Sequence, residues 1–325
     1  MRSLVDRHGR VVRDLRISVT PRCNFKCTYC DPLGLGHRDP PGTVSVADVD
    51  NTVRAAVSLG MESVRFTGGE PLIRKELDEM IANAKAAGVE DVAVTTNASL
   101  LRRRLGELVA AGMDRVNISL DAVDPEVFRQ ATGGGRIGPV WEGIEAVVEA
   151  GLQPVKLNAV MIRGVNDGEI PRLAALTEHR PMHVRFIEYM HLNNSPYDEY
   201  RLGFLPGSEI RARVEAEFGA LKPVDNDPSA PARLFRIPGF AGCIGFINPV
   251  SEPFCGACSR MRLTADAKLR PCLMTDREHD VRQALHAPDP IQAMQEMFLV
   301  AAHRKVASGM TAPTDRPRTM VAIGG

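Results

Sequence analysis

The chain carries no excess of either charge. Its 325 residues hold 40 acidic and 40 basic side chains, so no global field recruits nucleic acid or an anionic membrane, and any anion site has to be local. No uninterrupted apolar stretch approaches the ~20 residues needed to span a bilayer. The opening Met1-Arg2-Ser3-Leu4-Val5-Asp6 lacks the long apolar core of a signal peptide. These absences predict a cytoplasmic protein without membrane or nucleic-acid partners. There is no low-complexity tract, and no repeat beyond an alternation of short aliphatic runs with helical stretches. A disulfide framework is also disfavoured. The seven cysteines are an odd number and fall in two groups, 23/27/30 and 255/258/272, with Cys243 left over. Clustering of this kind, without an export signal, points to metal ligation.

The alternation runs from residue 11 to 190. Strand candidates lie at 14–20, 62–67, 91–97, 114–121, 154–162 and 183–190, with amphipathic segments near 45–59, 74–87, 100–111, 124–131 with 138–150, and 166–178. Six βα units predict parallel strands with helices outside. Their phase says more than their number. Leu15, Ile17 and Val19 alternate with Arg16, Ser18 and Thr20, and Val64 and Phe66 with Ser63, Arg65 and Thr67. The next three strands alternate likewise; in the last, Val184, Phe186, Glu188 and Met190 share a face. A fully packed parallel sheet is apolar on both faces. One polar face suits strands curving round a wet cavity. Six units are too few for an eight-fold barrel, so the expected α/β fold is a partial, laterally open (βα)6 TIM-like barrel over residues 1–195. Residues 196–325 have one clear early helix at 208–218 and a helical C-terminus near 276–307. They are expected to form a second region over the barrel mouth.

Cys23, Cys27 and Cys30 stand as CxxxCxxC directly after the first aliphatic run. A structural zinc loop wants four ligands, usually in CxxC pairs, whereas this triplet has no nearby fourth Cys or His. Three thiolates suit three irons of a cubane cluster and leave the fourth iron open to a small molecule. Gly68-Gly69-Glu70-Pro71 follows the second strand, where glycines let a backbone approach a ligand without a Cβ in the way. Tyr29 can pack in the core or present its ring or backbone to an adenine. The second group, Cys255-Gly-Ala-Cys258 with Cys272, is again a triplet. It becomes a closed four-thiolate site if Cys243 joins it, and an open one if Cys243 is a buried packing residue. Arg260 and Arg262 follow Cys258 at a spacing that points both guanidinium groups the same way on an extended segment. With Arg16, Arg65 and Lys156 they could place five cations on one cavity of a neutral protein, and a polyphosphate is the economical ligand.

The CxxxCxxC loop resembles that of the radical S-adenosylmethionine superfamily. Nearly end to end, the chain is similar to the GTP 3′,8-cyclase family, which opens molybdenum-cofactor biosynthesis. The likeness rests on both triplets, Gly-Gly-Glu-Pro, Thr95-Thr96-Asn97, Asn117-Ile118-Ser119-Leu120-Asp121, Arg185-Phe186-Ile187-Glu188-Tyr189-Met190, CxxCxRxR and a terminal Gly324-Gly325. It implies two [4Fe-4S] clusters, held by Cys23, Cys27 and Cys30 and by Cys255, Cys258 and Cys272. It implies S-adenosylmethionine on Tyr29, Gly69, Ser119 and Met190, and GTP on Arg16, Arg65, Thr95, Lys156, Arg260, Met261 and Arg262. Catalytic work is implied for Arg16, Arg260, Arg262, Gly324 and Gly325. The family's reaction joins C3′ of GTP to C8 of its own guanine after hydrogen abstraction by a deoxyadenosyl radical. The further implied partners are an external electron donor, a second copy of the chain in a homodimer, and cyclic pyranopterin monophosphate synthase as recipient of the product. Three features depart from the pattern. The Pro/Gly-rich segment 31–42 offers no transferable motif, Ala98 stands where the family often has glycine, and Cys243 is not required by the motif. An electron carrier would complete four-cysteine ligation at both sites, which the first triplet does not.

Overall fold

A computed structural model describes residues 3–31, 42–192, 196–310 and 318–324. The first strands are β1 (Asp14–Ser18), β2 (Ser63–Thr67), β3 (Asp91–Thr96), β4 (Arg115–Ser119), β5 (Lys156–Met161) and β6 (His183–Glu188). Each runs parallel to the next. Between them come α1 (Val46–Ser58), α2 (Leu77–Ala86), α3 (Leu101–Ala110), α4 (Pro125–Ala131), α5 (Gly138–Glu149) and α6 (Ile170–Ala175). Local chemistry sets the starts. Ser45 and Asp48 form a reciprocal capping box on α1, and the Asp124 carboxylate accepts from Glu126 N and Val127 N at the head of α4. Such caps stabilise by about 1 kcal/mol each. The apolar phase of each strand is sealed against the helices: Leu15, Ile17, Val64, Phe66, Val94, Ile118 and Leu157 are all buried in one core. Burial of such a side chain stabilises by about 1.5–3 kcal/mol.

The C-terminal region does more than lie over the mouth. It adds a parallel strand to each edge of the six. These are β9 (Cys243–Ile247) beside β6 and β10 (Arg260–Leu263) beside β1. The parallel run is therefore eight strands, in the order β10-β1-β2-β3-β4-β5-β6-β9. β9 and β10 do not pair, so the barrel stays open. Antiparallel strands cover the edges: β7 (Lys222–Val224) and β8 (Arg233–Arg236) next to β9, β11 (Lys268–Arg270) and β12 (His279–Asp280) next to β10. Neither added parallel strand announces itself in the sequence. All five residues of β9 are buried and show no alternation, while β10 is only four residues long.

The remaining helices are α7 (Tyr197–Gly203), α8 (Gly207–Phe218), α9 (Arg282–Leu285), α10 (Pro290–His303) and α11 (Met320–Ile323). The long helical stretch expected near 276–307 is thus broken. Pro288 cannot continue a helix, and Asp289 caps a fresh start by accepting from Gln292 N at 3.0 Å. α10 packs on α1, so the helix layer is shared by both regions.

Candidate active site

Both cysteine loops open onto one cavity of about 310 Å³. The first leaves the end of β1. Gly69 N donates to Thr20 O and Glu70 N to Arg22 O, both at 2.7 Å. A Cβ at Gly68 would collide with the Thr20 carbonyl and one at Gly69 with that of Arg22. The two glycines are therefore needed for the close approach of the protein's own cysteine loop, while Gly69 also lines the cavity. Glu70 is buried and accepts from Asn97 N at 2.7 Å, Thr96 Oγ1 at 2.7 Å and Leu72 N at 3.0 Å. Burial lifts its pKa to about 7 despite those donors. Asn97 in turn donates through Nδ2 to Asn24 Oδ1 at 2.9 Å and lies 3.9 Å from Cys23 Sγ. On the other flank, Lys26 N and Thr28 N donate to the carbonyls of Thr132 and Ala131 at the C-terminal end of α4.

The charged groups acting on the thiols of this loop are carboxylates. Burial raises the Cys23 thiol to about 11, with Glu70 adding to it. Cys27 is raised further by burial, Asp121 and its two neighbouring cysteines, and Cys30 by burial, Cys23, Asp31 and Asp121. Tyr29 donates its hydroxyl to Asp121 Oδ2 at 2.9 Å, and burial holds Asp121 up at about 6. Thiols that push one another up become thiolates only when cations lie among them. Cys23, Cys27 and Cys30 line one cavity, and three thiols together are a donor set whose chemistry suits an iron cluster.

The second site is assembled by a hairpin. Cys258 precedes β10, and the antiparallel β10–β11 pairing returns the chain so that Cys272 reaches the same cavity. Here the charge is positive. Burial raises Cys258, but Lys305, Arg260 and Arg10 outweigh it and the thiol ends below its ordinary value. Cys243 lies buried on β9, where Arg236 Nη2 sits 3.7 Å from its sulfur, and it is not among the cavity-lining residues.

Between the triplets the strand register builds a row of arginines. Arg16 on β1 stands opposite Arg262 on β10 and Arg65 on β2. Burial pushes the Arg16 guanidinium well down, followed by the like charges of Arg262, Arg65 and Arg260. Cations packed so closely call for an anion among them. Arg16, Arg65, Arg260 and Arg262 all line the cavity, as do Tyr29, Gly69, Thr95, Ser119 and Met190. Lys156 and Met261 do not. Lys156 sits behind, beside His183 in the register, its pKa lowered to about 8 by burial and by Arg115, Arg185 and Arg65. Met261 alternates with its flanking arginines and is buried in the core. Gly324, at φ +73°, accepts from Arg262 Nη1 at 2.5 Å and packs on Ser18 and Thr67. Gly325 and most of the 31–42 segment lie outside the described residues.

Two further cations line the cavity, Arg185 and Lys305. Arg185 donates to Asn117 Oδ1 at 2.5 Å; among the described residues its Nε has no partner, nor do Arg65 Nε and the acceptor Asn158 Oδ1. Alternation with Val184 and Phe186 is the signal that marks Arg185 as inward-facing. Lys305, distant in sequence, carries no such signal.

A family profile for the radical SAM superfamily matches residues 17–177, and one described as Molybdenum Cofactor Synthesis C matches residues 182–310. The chain is 42% identical to the GTP 3′,8-cyclase of Heliobacterium modesticaldum over 99% of its own length and 100% of that protein. It is 40% identical to that of Geobacter sulfurreducens over 99% of each. Among solved structures it resembles Streptococcus suis SuiB bound to precursor peptide SuiA, with TM-score 0.59, 14% identity, and 89% of this chain and 68% of that one covered. It also resembles anSMEcpe with bound AdoMet, with TM-score 0.54, 14% identity, and 86% and 82% covered. At such identities these two show the shared fold. Among the described residues no helix is long and apolar enough to cross a membrane.

Proposed function

The chain belongs to the GTP 3′,8-cyclase family of radical S-adenosylmethionine enzymes, and from that premise we propose how its own residues divide the work. The reaction converts GTP to (8S)-3′,8-cyclo-7,8-dihydroguanosine 5′-triphosphate, the first step of molybdenum-cofactor biosynthesis. It uses S-adenosylmethionine and an iron–sulfur cluster.

One observation carries the proposal: the two cysteine triplets and the arginines between them line a single cavity. Cys23, Cys27 and Cys30 hold one [4Fe-4S] cluster, and Cys255, Cys258 and Cys272 hold a second. Reduced cluster and S-adenosylmethionine together supply, when bound, the one-electron chemistry that removes a hydrogen atom from C3′. The residues of this chain supply charge and position. Glu70 and Asp121, buried behind the cavity wall, fix Asn97 and Tyr29, which line it, and S-adenosylmethionine is held by Tyr29, Gly69, Ser119 and Met190. Arg16, Arg65, Arg260 and Arg262 suit a triphosphate, each charge-assisted bond contributing about 1.5–3 kcal/mol, with Thr95, Lys156 and the Met261 backbone beside them. Anchoring the triphosphate keeps C3′ toward the first triplet and guanine toward the second, and positioning of this kind dominates the rate.

Arg16, Arg260, Arg262 and the Gly324-Gly325 tail are the groups assigned to catalysis, and the bond from Arg262 to the Gly324 carbonyl supports that grouping. The division near residue 195, a homodimer, an external electron donor and delivery of product to cyclic pyranopterin monophosphate synthase are part of the same proposal and rest on family membership. A cytoplasmic setting is part of the same proposal and rests on family membership. The test is anaerobic reconstitution followed by S-adenosylmethionine, GTP and reductant. Deoxyadenosine together with a cyclised nucleotide is expected, with iron near ~8 per chain for two cubanes. Absence of both products overturns the assignment, while iron near ~4 removes the second cluster.

A further inference from the structure

Lys305 is 2% exposed, and among the described residues it makes no ion pair. Its Nζ donates to Arg260 O at 2.7 Å and Pro271 O at 2.6 Å. Those carbonyls belong to segments that carry Cys258 and Cys272. The lysine follows α10, yet it caps none of that helix's carbonyls with its side chain. Arg10, from the N-terminal turn, completes the arrangement. Its Nη1 donates to Cys255 O at 2.7 Å and Ala307 O at 3.0 Å, and its Nη2 to Val306 O at 2.6 Å. Arg10 is neutralised by Asp6, Nε to Oδ2 at 2.6 Å.

Residues 305–310 thus form a strap across the second triplet. Ser308 Oγ lies 3.6 Å from Cys255 Sγ, and a Cβ at Gly309 would meet Cys272 Sγ. A buried ammonium held by two carbonyls still needs a counter-charge. Among the described residues its remaining donor has no protein partner, and Lys305 lines the cavity.

We infer that Lys305 is the buried counter-ion of an anionic group at the second cysteine site, and that Lys305 and Arg10 are positioning residues clamping the three ligand segments together. This rests on the reading that Cys255, Cys258 and Cys272 hold a cluster. Removing the cation disfavours the more negative, reduced state, and removing the clamp loosens the ligands.

The experiment uses the full chain carrying Cys23→Ser, Cys27→Ser and Cys30→Ser, so that only the second cluster is visible. With Lys305→Met, its midpoint potential is expected to move negative and iron release to a chelator to speed up at least tenfold; Lys305→Arg brings the potential back toward the parent. Arg10→Lys keeps the charge but loses the fork, so iron release speeds up with the potential little changed. An unchanged potential in Lys305→Met overturns the counter-ion, whatever happens to iron release. Unchanged release in both Lys305→Met and Arg10→Lys overturns the clamp. If Lys305→Met does not fold, judged by circular dichroism of the apoprotein, Lys305→Gln is read against the same two outcomes. A parent that binds no iron with Lys305 intact is a failure of the two-cluster reading and not of this one.

Discussion

The two cysteine sites share a cavity but are built on opposite electrostatic plans. Around Cys23, Cys27 and Cys30 the named charges are Glu70, Asp121 and Asp31, and all three thiols are pushed up. Around Cys258 they are Lys305, Arg260 and Arg10, and the thiol is pulled down against the same burial penalty. Similar cysteine triplets therefore sit in surroundings of opposite charge. An environment rich in carboxylates favours a cationic partner, one rich in cations an anionic partner, and a protein of zero net charge achieves both by segregating its charges. The mechanical plans differ too. The first loop is wedged against β2 by Gly68 and Gly69, whereas the second is tied by side chains that reach from both ends of the chain.

The largest expected effect separates the sites by chemistry. Cys27→Ser should abolish deoxyadenosine formation altogether, whereas Cys258→Ser should still cleave S-adenosylmethionine, uncoupled from any cyclised nucleotide. Chromatography of both products checks this, and identical profiles for the two variants would break the division of labour. Next, Arg65→Ala should weaken GTP about 10–100-fold, the equivalent of losing one charge-assisted hydrogen bond of about 1.5–3 kcal/mol. Calorimetry should find S-adenosylmethionine binding unaltered.

A third prediction sharpens the contrast through pH in the apoprotein. Glu70 titrates at about 7 when folded against an ordinary 4.5, so the folded state binds the extra proton between those values. Its stabilising contribution is complete below 4.5 and is lost as pH rises to about 7, a fall of about 3 kcal/mol by linkage. Glu70→Gln should flatten that part of the profile in chemical denaturation. Cys258 has the reverse sign. Its folded pKa lies below the ordinary 9.0, so its contribution is present above 9.0 and is lost as pH falls through the folded value. Cys258→Ser should remove that alkaline gain.

The smallest effect concerns the wall of the first site. Ala98 sits at φ +60°, fully buried, in the left-handed region where a Cβ costs about 1–2 kcal/mol. Ala98→Gly relieves that strain but deletes a buried methyl and adds freedom to the unfolded chain, each worth about 0.4–1 kcal/mol. Thermal melts should move by no more than a few degrees, and iron content should not change.

Ala98 also shows how far the sequence could be read. Its departure from the family's glycine is visible in one dimension, but the left-handed backbone that gives the departure meaning is not. The six βα units were legible because a strand's period of two separates Leu15 and Ile17 from Arg16 without knowledge of neighbours. β9 was not, since a strand buried on both faces loses that alternation. The short β10 shows in the sequence only as an extended arginine pair, without its partner β1. The orientation of Arg260 and Arg262, and their separation from Met261, followed from the same period.

The chain's own residues thus determined the ligand types, the alternation that curves a sheet round a polar cavity, and the pairing of arginines beside a cysteine triplet. All are properties of neighbours a few positions apart. Only the tertiary structure decided which charges face which thiols. Asp121 comes from β4's end to Tyr29, and Arg10 and Lys305, 295 positions apart in the numbering, converge on the second triplet. Electrostatic interaction depends on distance through space and on burial, and neither is written in the order of residues along the chain.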